Sequence, residues 1–359
     1  MKQVLILCLC LGLSQLIAAP LRIGVAGLTH DHVNWILGRP DRGDIQIVGI
    51  AEVNQELAKK YCEQYKLPLS IVFRSIEEML EKTKPEAVTA FGSIYEHLAV
   101  VKACAPKGIH VMVEKPLAFS LEHAKEMEAL VSQYKIQLLT NYETTWYATN
   151  HKILELTENG NLGSLRKIVA HDGHEGPKEI GVSPEFFNWL TDPKQNGGGA
   201  VIDFGCYGAN LITWLTQGKR PKTVTAVLQT NKPNIYPHVD DEATILIQYD
   251  GLQGVIQASW NWPFGRKDME VYGTKGYAVS DNRAKLRTRF IGMASEQTNT
   301  LAERSNPHDD PFALLAAVIQ NRVKLKPYDL SSLENNLMVM EILDAALRSS
   351  QTGKHVRLD

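Results

Sequence analysis

The stretch IGVAGLTHDHV, residues 23–33, is where the fold of this chain is decided. An apolar run from Leu21 to Ala26 reads as a strand and breaks at Gly27. A G-x-G-x-x-G turn at that place would lead into a helix and receive a dinucleotide diphosphate. Here Thr29 and His32 stand where the later glycines would be. A strand ending in glycine has many uses, so the meaning of the loop depends on what surrounds it.

Outward from the loop the chain alternates. LRIGVA, IQIVGIA, SIVF, EAVTA, IHVMVE and IQLLT are strand-like runs between Leu21 and Thr140. Helical patterns lie between them, one behind an Asn54 cap, one opened by Ser75 with Glu78 three positions on, one after Ser120. Such alternation implies a parallel, doubly wound sheet, which is a dinucleotide-binding architecture. Glu52 stands 25 positions after Gly27, near the offset at which a carboxylate accepts from the adenosine ribose and repels a 2'-phosphate. NAD is therefore expected over NADP. The backbone donors of Gly27, Leu28, Thr29 and His30 are expected to hold the diphosphate, with Thr29 and His30 adding side-chain donors.

The bulk numbers fit this. A chain of 359 residues exceeds a single core and suits two domains, read here as residues 20–142 and 143–359. Hydrophobic content of 44%, charged content of 22% and a net charge of -2 exclude a disordered chain, and the charge argues against nucleic acid or an anionic membrane as partner. A small-molecule ligand is expected. Residues 1–19, MKQVLILCLCLGLSQLIAA, have the cation, short apolar run and small-residue end of a secretory signal peptide, so a secreted or periplasmic protein, free of the membrane after cleavage, is expected. Cys62, Cys104 and Cys206 then remain, an odd number without paired spacing, and read as buried thiols.

Beyond Asn150 the pattern changes. KTVTAVLQT, DEATILIQY, LQGVIQASWNW, DMEVYGT, GYAVSD and KLRTRF follow in quick succession, which suggests a mainly antiparallel sheet. Helices from about Asp310 and Ser332 close the chain and are expected to pack back on the first domain. The fold class is thus α/β, a Rossmann-type doubly wound parallel sheet followed by an α+β domain.

Three stretches carry the chemistry. HVMVEKPLAFS places Glu114 and Lys115 after the fifth strand, at the carboxyl edge where open sheets bind ligands. GGGAVIDFGCYGANLITWL spaces Asp203, Tyr207 and Asn210 on one face of a helix, although Asp203 would serve equally as a cap after the glycines. SIYEH supplies Ser93 and His97, which with Glu114 and Lys115 are expected to line the cofactor pocket. Asn141, after the sixth strand, is expected at the nicotinamide, and Tyr142, Glu143 and Trp146 near the substrate. AHDGHEG offers His171, Asp172, His174 and Glu175 without zinc spacing, so no metal is expected and His174 reads as a substrate contact. Trp260 and Trp262 read as buried aromatics or a sugar platform.

In EKP, in GGGAVIDFGCYG with its Asp-x-x-x-Tyr spacing, in SIYEH and in the DDEATILIQYDGLQGVIQASWNWP strand pair, the chain resembles the glucose-fructose oxidoreductase, inositol dehydrogenase and MocA family. The resemblance implies that Lys115 is the active-site lysine, Asp203 its conserved aspartate, and Tyr207 the acid/base, at a position where many members have His. It also implies a homodimer or homotetramer, and a dinucleotide held tightly enough to be recycled in place. A nearby Lys115 ammonium would lower the Tyr207 phenol toward neutrality, and either residue then takes the substrate proton. The reading is an NAD-dependent oxidoreductase for a secondary hydroxyl of a sugar, glycoside or polyol. Its rivals are an NAD-dependent glycosidase working by transient oxidation and elimination, and a non-catalytic sugar or dinucleotide sensor.

Overall fold

The computed structural model describes residues 19–358. The leader read at residues 1–19 therefore lies outside the described residues except for Ala19. In the first half, β1 (Leu21–Ala26), α1 (Val33–Leu37), β2 (Ile45–Ala51), α2 (Gln55–Tyr65), β3 (Val72–Phe73), α3 (Ile76–Thr83), β4 (Ala87–Ala90), α4 (His97–Cys104), β5 (His110–Glu114), α5 (Leu121–Tyr134) and β6 (Leu138–Asn141) follow one another. Their strands pair in the order β3-β2-β1-β4-β5-β6, every pair parallel, with the crevice between β1 and β4 where the order reverses.

Local sequence explains the elements. Asn54, Ser75 and Ser120 accept the backbone N–H of Leu57, Glu78 and His123 and so start α2, α3 and α5. Glu78 reaches the N–H of Arg74 rather than that of the cap residue. SIVF yields only a two-residue strand, because Leu69–Ile71 turns as a 3-10 helix first. Gly24 and Gly49 lie opposite each other in the ladder, and a Cβ at either would come within 2.7 Å of Met79, so their bareness lets α3 seat on the sheet.

The second half contains α6 (Ala148–Glu158), β7 (Leu165–Gly173), α7 (Pro184–Leu190), α8 (Pro193–Asn196), α9 (Ala200–Asp203), α10 (Gly205–Leu215), β8 (Thr223–Gln229), β9 (Glu242–Tyr249), β10 (Leu252–Ser259), β11 (Arg266–Gly273), β12 (Gly276–Ser280), β13 (Lys285–Phe290), β14 (Gln297–Thr300), α11 (Pro311–Ile319), α12 (Leu333–Thr352) and β15 (Val356–Arg357). Nine strands form one sheet, β14-β13-β12-β11-β7-β10-β9-β8-β15, antiparallel except where β7 runs parallel to β10. Ala243, Ile245, Ile247 and Tyr249 alternate inward along β9 while Leu246 and Gln248 face out. Every residue of α10 is buried, and a Cβ at Gly208 would meet Ile256 and Ala170, so the helix lies hard against the sheet. Phe312 of α11 packs near Phe91 beyond β4, and α12 packs on α5 and β8, which returns the chain end to both halves. Cys62, Cys104 and Cys206 are buried and unpaired.

Candidate active site

Lys115 follows the last residue of β5 and is 5% exposed. Its Nζ forms an ion pair with an oxygen of the Asp203 carboxylate and donates to the Asp203 carbonyl at 3.0 Å. The other carboxylate oxygen accepts from Trp260 Nε1 at 2.9 Å. Burial alone would discharge the amine, but Asp203 lifts it above its ordinary value, and against the same burial Lys115 holds the Asp203 carboxyl below its own. The pair is therefore charged. Asp203 does not cap the helix after the glycines: Asp240 does so, accepting from Gly199 and Val201, and a Cβ at Gly199 would sit 1.7 Å from the Asp240 carbonyl oxygen.

The expected single helical face is corrected. The helix breaks at Phe204, so Asp203 ends α9 and Tyr207 lies in the first turn of α10. Asn210 turns away to the Leu330 carbonyl and Asn336. Tyr207 nevertheless reaches the ion pair, with Lys115 Nζ 5.4 Å from its ring centre. Lowering of its phenol by Lys115 is also corrected. Burial first, then the carboxylates of Glu143 and Asp203, push it well above its ordinary value.

Lys267 was not visible from sequence. It stands at the start of β11 with Nζ 5.0 Å from the Tyr207 ring centre and forms an ion pair with Glu143, which also accepts from Tyr147 at 2.8 Å. A cavity of about 540 Å³ opens there, lined by Glu143, Tyr147, His174, Lys267 and Asp268 among others. His174 accepts the Gly176 N–H on Nδ1, so its neutral ring carries the proton on Nε2. Tyr142 is buried and meets the Tyr207 ring edge-on at 5.4 Å. The AHDGHEG residues do not converge: His171 lies 3.2 Å from Asp268, whereas Asp172, the next residue of β7, is buried beside Lys267 with neither oxygen hydrogen-bonded. Trp260 is the buried partner of Asp203 rather than a sugar platform.

The dinucleotide edge differs in detail from the expectation. A groove of about 250 Å³ runs along Gly27, Thr29, Glu52, Val53, Gly92 and His97, at the carboxyl ends of β1, β2 and β4. Gly27 has φ +80°, and a Cβ on it would meet Gly92 N at 2.7 Å. Leu28 N–H goes to Glu52 and His30 N–H to Phe91, so neither donor is free for a diphosphate. The Leu28 side chain is buried in the core, and the His30 ring is buried against Phe186 and Trp189 instead of facing the groove. Ser93 caps with Glu96 and bonds Gln195. Glu114 is tied to His32 at 2.8 Å and to Asn141 at 2.7 Å.

The residues still fit a dinucleotide. Each Glu52 oxygen accepts one backbone N–H, from Leu28 or Asn54, and keeps a lone pair at the groove. His97 bonds the Leu117 carbonyl through Nδ1, which leaves Nε2 a buried acceptor with no partner in the groove wall. His30, His32 and Glu114 bring potential ligand atoms within 4.8 Å; His30 Nδ1 accepts the His32 N–H, so a neutral His30 ring carries its proton on Nε2.

A family model described as an oxidoreductase family with an NAD-binding Rossmann fold matches residues 21–142, and the GFO/IDH/MocA C-terminal domain matches residues 150–279. The chain belongs to the GFO/IDH/MocA oxidoreductase family. This family member is 26% identical to trans-1,2-dihydrobenzene-1,2-diol dehydrogenase of Xenopus tropicalis over 312 residues, 85% of this chain and 90% of that one. An inositol dehydrogenase homolog from Azotobacter vinelandii, solved with NAD+, has TM-score 0.81 at 17% identity over 95% of this chain and 98% of its own. Aldose-aldose oxidoreductase from Caulobacter crescentus, solved with glycerol, has TM-score 0.79 at 20% identity over 94% and 100%. The structural likeness establishes the shared fold of this GFO/IDH/MocA protein.

Proposed function

We propose that the protein is an exported, NAD-dependent oxidoreductase that interconverts a secondary hydroxyl and a keto group on a sugar, glycoside or polyol. One observation carries the reading: a charged lysine, locked by Asp203, lies beside a neutral phenol whose ring centre is 5.0 Å from Lys267 in the wall of a polar cavity. The relatives support it, being named for a diol, an inositol and an aldose. Glu52 at the groove favours NAD over a 2'-phosphorylated cofactor. The leader sequence supports export, and the outward Val227 and Leu246 on the large sheet suit a homo-oligomer.

Gly27, Thr29, Glu52 and His97 would hold the NAD, which would supply the hydride acceptor or donor for the substrate carbon. Lys115 donates a hydrogen bond to the substrate oxygen, and Asp203 with Trp260 fixes that amine in place. Tyr207 exchanges the proton with the same oxygen. Its raised pKa keeps the phenol protonated, so the proton is in place for ketone reduction, and requires alkaline pH for it to act as base in oxidation. His174 Nε2–H and Lys267 bind neighbouring hydroxyls from the cavity wall. Mass spectrometry of the ligand released from protein purified without added cofactor, then incubation with a glycoside panel and detection of keto-sugars, tests the proposal. Released NAD and a keto product are expected; release of aglycone without keto-sugar would favour the glycosidase reading, and neither product would leave the sensor reading.

A further inference from the structure

A second cavity, about 330 Å³, adjoins the substrate cavity, and Glu143 lines both. Its walls are Trp35, Trp146, Pro311 and Phe312, with Asp309, Asp310 and Arg283 at its polar side. It shares no lining residue with the groove at Gly27, Glu52 and His97. The volume lies at the low end of the range of about 300 to 1,000 Å³ usual for small-molecule sites, room for one ring.

The two indoles are braced. Trp35 is 36% exposed and stacks on His32 at 3.8 Å with rings 15° from parallel. His32 bonds Glu114, Glu114 bonds Asn141, and Asn141 accepts from Trp146 Nε1 at 3.3 Å. An exposed tryptophan without a task would lose nothing by swinging free. Here one chain of contacts through two residues beside Lys115 holds both rings in place, which removes the ordering cost of binding against them. Burial keeps His32 neutral, with its pKa down to about 3, so the stack carries no competing charge. Asp309, in the cavity's polar wall, bonds Arg42 through one oxygen and keeps the other buried without a partner.

We propose that this cavity is a second ring subsite, which takes a pyranose joined by a glycosidic bond to the ring presented to Lys115. A pyranose has an apolar C–H face for an indole and hydroxyls at its rim for carboxylates and an arginine, which is the distribution of this wall. The inference rests on the sugar reading above and narrows it to disaccharides and longer glycosides.

The test is calorimetric binding to the NAD-loaded protein of glucose and galactose against cellobiose, maltose and lactose, alongside keto-sugar detection, for wild type, Trp35→Ala and Trp35→Phe. At least one disaccharide is expected to bind about tenfold tighter than its monosaccharide, the effect of one apolar ring face leaving water. That ratio is expected to fall to about one in Trp35→Ala and to recover in Trp35→Phe. Equal binding of the two sizes, or a ratio indifferent to Trp35→Ala, overturns the subsite while keto-sugar formation upholds the function. Disaccharide preference lost in Trp35→Ala with no keto product upholds the subsite and overturns the function. Binding of no saccharide overturns both.

Discussion

The two ends of the candidate site satisfy their polar groups differently. At the dinucleotide edge the chain serves itself: Glu52 takes the N–H groups of Leu28 and Asn54, Ser93 and Glu96 cap each other, and Phe91 takes the N–H of His30. At the substrate edge, side chains from distant segments face one another as charges, Lys115 with Asp203 and Lys267 with Glu143, beside Asp172 with no hydrogen-bond partner. A ligand at the first edge meets a prebuilt backbone frame. A ligand at the second meets groups whose charge and proton affinity depend on one another, which is where acid/base chemistry requires them.

Lys115→Met should break the second edge most severely. It removes the hydrogen bond to the substrate oxygen and leaves the Asp203 carboxylate buried with Trp260 as its side-chain partner. Turnover should fall by about 10² to 10⁴. Losing one partner of a buried pair should cost roughly 3–5 kcal/mol of stability. Thermal unfolding and steady-state kinetics on one preparation separate the two effects. A variant that unfolds as wild type would show that Asp203 is not dependent on the pair. NAD binding should persist in the folded variant, because Lys115 does not line the groove.

Tyr207→Phe should cost less, roughly 10²-fold in turnover, since Lys115 remains. The pH profile carries the sharper information. A phenol held above its ordinary value by burial and by Glu143 is neutral at pH 7. Oxidation should therefore climb with pH into the alkaline range while ketone reduction holds and then declines. Tyr207→Phe should remove that limb from both directions. An unchanged alkaline limb in the variant would assign the proton to Lys115.

Much of this geometry was legible in the residues, and the reasons are specific. Strand and helix order in the first half followed from alternating apolar runs with Asn54, Ser75 and Ser120 as caps, all local signals. The meeting of Lys115 with Asp203 was legible through the resemblance, since nothing local to EKP points to a carboxylate 88 positions away. The fate of the Gly27 loop was not legible. Replacing glycines by Thr29 and His32 said that the turn had changed, but His30 turns inward because Phe186 and Trp189 of α7 cover it, a contact made across the chain. Lys267 escaped for a similar reason. It lies one residue before the strand pattern read from sequence, and only its pairing with Asp172 in the ladder shows that it faces Tyr207. Phe204 interrupts what reads as one continuous helix, which is why Asp203 was grouped with Tyr207 and Asn210 on one face.

The smallest effect tests the least satisfied group in the second edge. Asp172 is buried with neither oxygen hydrogen-bonded, and burial raises its pKa well above 3.8, against a weaker pull from Lys267. In the unfolded chain the same carboxyl ionises in its ordinary range. As pH rises above that range the unfolded state releases a proton that the folded state retains, so this group favours unfolding increasingly until its folded pKa is passed. Asn has nearly the same shape and no proton to lose. Asp172→Asn should therefore leave stability unchanged near pH 3 and raise Tm by about 2–4 °C at neutral to alkaline pH, with the gain growing as pH rises. Differential scanning calorimetry across that interval reads the slope. A variant that is instead less stable than wild type above pH 5 would mean that Lys267 holds Asp172 ionised. The substrate edge would then be a single network of paired charges rather than two ion pairs beside an unpaired acid.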